Sequence, residues 1–199
     1  MFTSNPTRGF GLLEGFLAYR RTKIADKLIP NILRKGKILD MGCGSIPFFL
    51  LRIKFNEKYG MDSSLKLRSF DEKKINLIPS NIAKGKPLPF EDNFFEVVVL
   101  LAVLEHLEDE EAGFILSEIR RVLKKNGRFI LTTPAPWAGG LLKFMSKLKL
   151  ISQNEIDDHK GRNNYYKVKD FLQQVGFKKE NIKSGHFEFF LNNWVYADK

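Results

Sequence analysis

The feature that most narrows the fold of this 199-residue chain is an uninterrupted apolar run, Val97 to Leu104, within "FFEVVVLLAVLEHL". Eight residues are too few to cross a bilayer. The run opens on three consecutive valines, and β-branched side chains suit a pleated strand. An apolar run without alternation predicts a central strand, over 96–101, covered on both faces. That is the setting of a parallel sheet with helices above and below.

The rest of the chain is consistent with that frame. Leu13, Phe16, Leu17, Ile24 and Leu28 recur at helical spacing and predict an amphipathic helix over about 10–29. Short apolar stretches at 38–40, 59–61 and 75–78 read as further strands. Ala112, Ile115, Leu116, Ile119, Val122 and Leu123 define the clearest helix. Acids at 108–111 and lysines at 124–125 follow the order the helix dipole favours. Asn126-Gly127 predicts a left-handed cap after Lys125. Arg128–Thr132 reads as the next strand. The tail predicts a basic helix near 140–148, a polar loop over 152–164 and a short helix over 168–175. Extended stretches near 177–183 and 187–196 follow. Two strands with no helix between them form an antiparallel hairpin. The expectation is one α/β domain with a mostly parallel sheet and that hairpin at one side.

Composition bounds the function. There is one cysteine, Cys43, so no internal disulfide forms, which fits a reducing cytoplasm. The N-terminus lacks the pattern of a signal peptide, and no stretch reads as a transmembrane segment. The net charge of +10 is unevenly placed. Residues 1–36 contribute +5, 37–133 only +1, and 134–199 another +4. Basic flanks around a balanced centre fit an anionic partner, an acidic membrane face or solubility alone.

The chemistry concentrates in "ILDMGCGSIP", residues 38–47. Gly42 and Gly44 let the backbone turn after a strand and approach a ligand closely. Asp40 ends the strand as a hydrogen-bond acceptor. Asp62, in "YGMDSS", stands 18 residues after Gly44, at the end of the next strand, where a carboxylate accepts both hydroxyls of a ribose. A dinucleotide loop wants a third glycine beneath the pyrophosphate, and Ile46 stands there. The loop therefore suits a nucleoside cofactor without a pyrophosphate.

In that light "ILDMGCGS" resembles the first motif of the class I S-adenosylmethionine-dependent methyltransferases. "PLPFEDNFFEVVVLLAVLEHLED", residues 87–109, resembles the central motif of their type 11 group. "VLKKNGRFILTTP", residues 122–134, is similar to the start of their next strand. The resemblance implies a Rossmann-like doubly wound sheet and S-adenosyl-L-methionine as cofactor. It implies a helical cap over 1–36, a cofactor core over 37–133 and an acceptor-side region over 134–199. Asp40, Gly42, Cys43 and Gly44 would surround the methionine part. Asp62, with Ser63 beside it, would hold the ribose. Asn81, where the family often has Asp, would accept from the adenine amino group, and Ile82 would flank the ring. Leu101 and Ala102 would lie beneath the cofactor.

The acceptor side is more open. His106 either takes a proton from an acceptor hydroxyl or caps the next helix. Tyr19 and Arg20, with Arg21, meet an anionic substrate or form a solvated face. His159, in the cluster with Asp157 and Asp158, and Tyr165 read as acceptor-loop residues or a solvated turn. No second ligand set accompanies that cluster, so no metal site is expected. The stretch 137–152 suits a helix packed on the sheet or one lying on an acidic membrane. The reading is methyl transfer to a small-molecule, sugar or lipid-linked acceptor, anionic in character, by a cytoplasmic protein in peripheral membrane contact. The alternatives are an RNA or protein methyltransferase and a non-catalytic scaffold. No aromatic-basic repeat of the kind that stacks bases is present, so nucleic acid is disfavoured.

Overall fold

The computed structural model describes residues 14–65, 74–80, 85–135, 137, 165–188 and 191–199. Seven strands form one sheet in the order β3-β2-β1-β4-β5-β7-β6. They are β1 (Lys37–Met41), β2 (Glu57–Asp62), β3 (Ile75–Pro79), β4 (Phe95–Leu101), β5 (Leu123–Pro134), β6 (Ile182–Phe187) and β7 (Asn192–Asp198). The first five are mutually parallel, and β7 is antiparallel to both β5 and β6. The sheet is thus mostly parallel, with the expected antiparallel hairpin at its C-terminal side. Strand order reverses between β1 and β4, where open α/β sheets bind ligands at the carboxyl edge.

Val97, Val98, Val99 and Leu100 are fully buried in the centre of β4, so the apolar run is a strand covered on both faces. One face carries Ile38, Val97, Val99 and Ile130 beneath α1 (Glu14–Leu28). The other carries Leu39, Val98, Leu100, Phe129 and Leu131 beneath α2 (Asp109–Val122) and α3 (Tyr165–Gln174). Alternation along each strand sends neighbouring residues to opposite covers.

α1 runs against the strands. At its C-terminal end, Leu28 O accepts a hydrogen bond from Arg128 Nη1, low on β5, at 2.8 Å. Arg128 also grips Asp198 with two nitrogens, at 2.7 and 2.8 Å, and lies 3.8 Å over the Tyr196 ring. One guanidinium thus ties helix, central strand and hairpin together.

The spacing placed the end of α2 too late. The helix stops at Val122, and Leu123 is already extended and paired with Phe95 of β4. Burying Leu123 as a strand residue outweighs one more helical turn, and Lys124 gains the Glu96 carboxylate as its partner. Asn126 is left-handed, at φ 62°, but inside β5. Gly127 serves close approach: a Cβ there would lie 2.9 Å from the carbonyl oxygens of Glu96 and Lys124. The last α2 carbonyls are capped instead by Lys199, whose ammonium donates to Arg120 O and Arg121 O at 2.6 and 3.3 Å and to Leu123 O, just past the helix, at 2.7 Å. The hairpin strands also begin later than their apolar residues suggested. Phe177 is buried and bonds back to Leu172 O, closing α3, before β6 starts at Ile182.

Candidate functional site

Three elements converge at the carboxyl edge around the β1–β4 switch. The first is the loop after β1. Gly42 and Gly44 take φ +79° and +73°, a region costly for any side chain. Gly42 is also crowded: a Cβ there would stand 2.3 Å from Val103 Cγ2, just beyond β4. The amides of Gly42 and Cys43 both bond to Met61 O, at 2.7 and 3.2 Å, which folds the loop over the end of β2.

The second is Asp62 at the end of β2, which is 3% exposed. Its Oδ2 accepts from Gly44 N at 2.9 Å, clasping the glycine loop. Its Oδ1 accepts from Ser64 N at 2.7 Å and Ser64 Oγ at 2.6 Å. Ser64, a residue beyond Ser63, thus donates twice to the Asp62 carboxylate. The Asp-x-Ser spacing of an Asx turn is the sequence signal that distinguishes them.

The third is Asp40, 3% exposed, beside Asp62. Burial, reinforced by the Asp62 charge, pushes its carboxyl up to about 8. At neutral pH Asp40 is therefore largely protonated, and it is the Asp62 charge beside it that repels a pyrophosphate and favours a cation. A cofactor with an ammonium and a sulfonium fits that field. This is independent of the missing glycine at Ile46 and agrees with it.

Cys43 is 8% exposed. A Cβ on Gly60 would lie 3.0 Å from its Sγ, so the thiol packs down onto β2. Burial and then the charges of Asp40 and Asp62 raise its pKa, so the thiol stays protonated. Cys43 is a small residue fitted to a tight loop and not a nucleophile. Leu101 ends β4 at the same edge, and Ala102 follows it. Ala102 is left-handed, at φ 54°, and its amide bonds to Thr132 O at 3.0 Å. His106 is half-buried in the single turn Leu104–His106 that follows, and Glu105 beside it is buried.

Tyr19 is 48% exposed and Arg20 is exposed, on the outer side of α1. Arg21 and Arg20 lie within electrostatic reach of Glu188, just beyond β6 at the carboxyl edge. No sequence signal singled out Glu188. It is buried, burial raises its carboxyl pKa, and its Oε1 has no hydrogen-bond partner among the described residues. Asn81, Ile82, His159 and the 137–152 helix, Trp137 apart, lie outside the described residues. Tyr165 begins α3, and its side chain is likewise outside them.

A family model described as a methyltransferase domain matches residues 39–131, the span from β1 into β5. An uncharacterized protein of Methanocaldococcus jannaschii is 36% identical over 141 residues, covering 71% of this chain and 54% of that one. The demethylmenaquinone methyltransferase of Thermotoga maritima is 29% identical over 133 residues, covering 64% of this chain and 57% of its own. The chain thus spans little more than half the length of these curated relatives. Among solved structures, a SAM-dependent methyltransferase from Archaeoglobus fulgidus superposes with a TM-score of 0.67 at 19% identity, over 92% of this chain and 98% of the other. Residues 39–131 thus match a methyltransferase domain, set in the fold that solved S-adenosylmethionine-dependent methyltransferases share.

Proposed function

We propose that this protein transfers a methyl group from S-adenosylmethionine, by in-line displacement, to an anionic small-molecule, sugar or lipid-linked acceptor. The observation that carries the reading is the pair of buried acids, Asp40 in β1 and Asp62 at the end of β2, flanking a loop whose glycines hold left-handed backbone. When bound, the cofactor supplies an already activated sulfonium methyl. The work left to the chain is binding, orientation and exclusion of water. Asp62 takes the ribose hydroxyls, Asp40 faces the cationic methionine end, and the Gly42–Gly44 backbone lets the ligand approach closely. His106, after β4, takes the proton of a hydroxyl acceptor. Arg20 and Arg21 supply positive charge at the acceptor edge. The T. maritima relative is named for demethylmenaquinone; only the class of organic acceptor is carried over to this chain. The setting is cytoplasmic and peripheral to the membrane. Among the described residues no helix is long and apolar enough to cross one.

Calorimetry with S-adenosylmethionine and S-adenosylhomocysteine tests the reading. Asp62→Ala removes charged hydrogen-bond acceptors and weakens binding roughly ten- to hundredfold. If the intact protein binds neither compound, the reading is wrong and a scaffold role takes its place.

A further inference from the structure

The outer side of α1 is inverted relative to an ordinary surface helix. Its buried positions hold small residues, Ala18, Thr22 and Ala25, with Ile29 just beyond its end. Its large rings point away: Phe16 is 58% exposed and Tyr19 is 48% exposed. Arg20, Lys23 and Lys27 continue the same solvent-facing stripe at spacings of three and four. A helix that only covers a core would gain more by turning its rings inward. Among the described residues just four large apolar side chains are exposed, and a third aromatic, Trp137 at 59%, stands three residues beyond the end of β5. The N-terminal half of α1 reaches the same carboxyl edge, since Arg20 and Arg21 act on Glu188 there. Three exposed rings thus lie toward the end of the molecule that holds the candidate site, with cations running behind two of them.

We propose that this face docks the protein on an anionic bilayer. Aromatic rings with a polar edge settle at the headgroup level, and the exposed cations complement acidic lipids. Each of Arg20, Lys23 and Lys27 near such a surface contributes roughly fivefold in binding at low salt. Docking in this orientation brings the carboxyl edge, and with it the cofactor loop, toward the lipid. The inference deepens the lipid-linked reading of the acceptor, but its test involves no turnover, so either can fail alone.

The experiment is sedimentation of the full chain with vesicles of phosphatidylcholine alone or mixed with phosphatidylglycerol, with Trp137 fluorescence read against brominated lipid. Binding to the anionic vesicles only, weakening with salt, with quenching lost in Trp137→Phe, is expected. Lys23→Glu/Lys27→Glu lowers that binding twentyfold or more, and Phe16→Ser lowers it further, while calorimetric binding of S-adenosylmethionine is unchanged and shows the variants are folded. Equal binding to both vesicle types, or binding that ignores all these substitutions, overturns the proposal. So does a dimer in solution that Phe16→Ser dissociates, which would make this face a contact between two copies of the chain.

Discussion

Gly42 and Gly44 share one conformation but differ in surroundings, and that difference predicts unequal costs for the same substitution. In Gly44→Ala the new methyl meets nothing closer than Ile46 O at 3.8 Å. The cost is then the left-handed backbone alone, about 1–2 kcal/mol. In Gly42→Ala the same conformational cost applies, and the methyl also falls 2.3 Å from Val103 Cγ2. Overpacking of that kind adds about 1–3 kcal/mol, for a total of about 2–5 kcal/mol. Val103→Ala removes the colliding methyl at its own cost of about 1–2 kcal/mol. The double variant should therefore be more stable than the sum of the single variants implies, by about 1–3 kcal/mol. Urea denaturation followed by circular dichroism measures all four terms. Equal losses for the two glycine variants, or additivity within about 0.5 kcal/mol in the cycle, would refute the claim that Val103 closes over the loop. Gly42 would then matter for its backbone angle only.

Asp40 predicts an unusual pH response. Its carboxyl titrates at about 8 in the native protein and near 4 in the unfolded chain. Between those values the native state holds a proton that the unfolded state has released, so stability falls as pH rises through the window. Asp40→Asn should flatten that slope, seen as urea midpoints that no longer drop between about pH 5 and about pH 8.5; a wild-type midpoint rising over the window contradicts the assignment. Glu118 acts with opposite sign. Its hydrogen bonds from Arg121 and Leu88 N hold its carboxyl below the usual value, so its stabilisation is present above about pH 4.5 and lost on acidification. Glu118→Gln should shallow the acid limb of the same titration. Arg128→Met removes the Asp198 grip and the bond to Leu28 O and should cost about 1–3 kcal/mol in urea. Lys199→Met uncaps α2 and should cost about 1 kcal/mol, with the loss of amide-exchange protection confined to the last turn of that helix.

What this sequence determined by itself is local. Strand identity follows from short apolar runs and helix identity from the period of apolar residues, both felt within a few positions along the chain, and β1, β4 and the body of α2 stand where those signals put them. The glycine loop and the acid that ends β2 were equally legible, because the backbone angles at Gly42 and Gly44 need no distant partner to explain them. The missing glycine at Ile46 already argued against a pyrophosphate. What only the tertiary structure decided depends on residues far apart in sequence. Val103 closes on Gly42 across 61 positions, and Glu188 meets Arg21 from the other end of the chain. Asp40 and Asp62 become a coupled pair only because parallel strands set their ends side by side, and burial there, not composition, raises the Asp40 carboxyl. The thiol of Cys43 was ambiguous until its packing on β2 was seen. α2 ended one residue short of its own apolar pattern because Leu123 gains more by pairing with Phe95 than by extending the helix. The outward rings of α1 were invisible to periodicity, which reports that a helix has two faces but not which one the sheet will take.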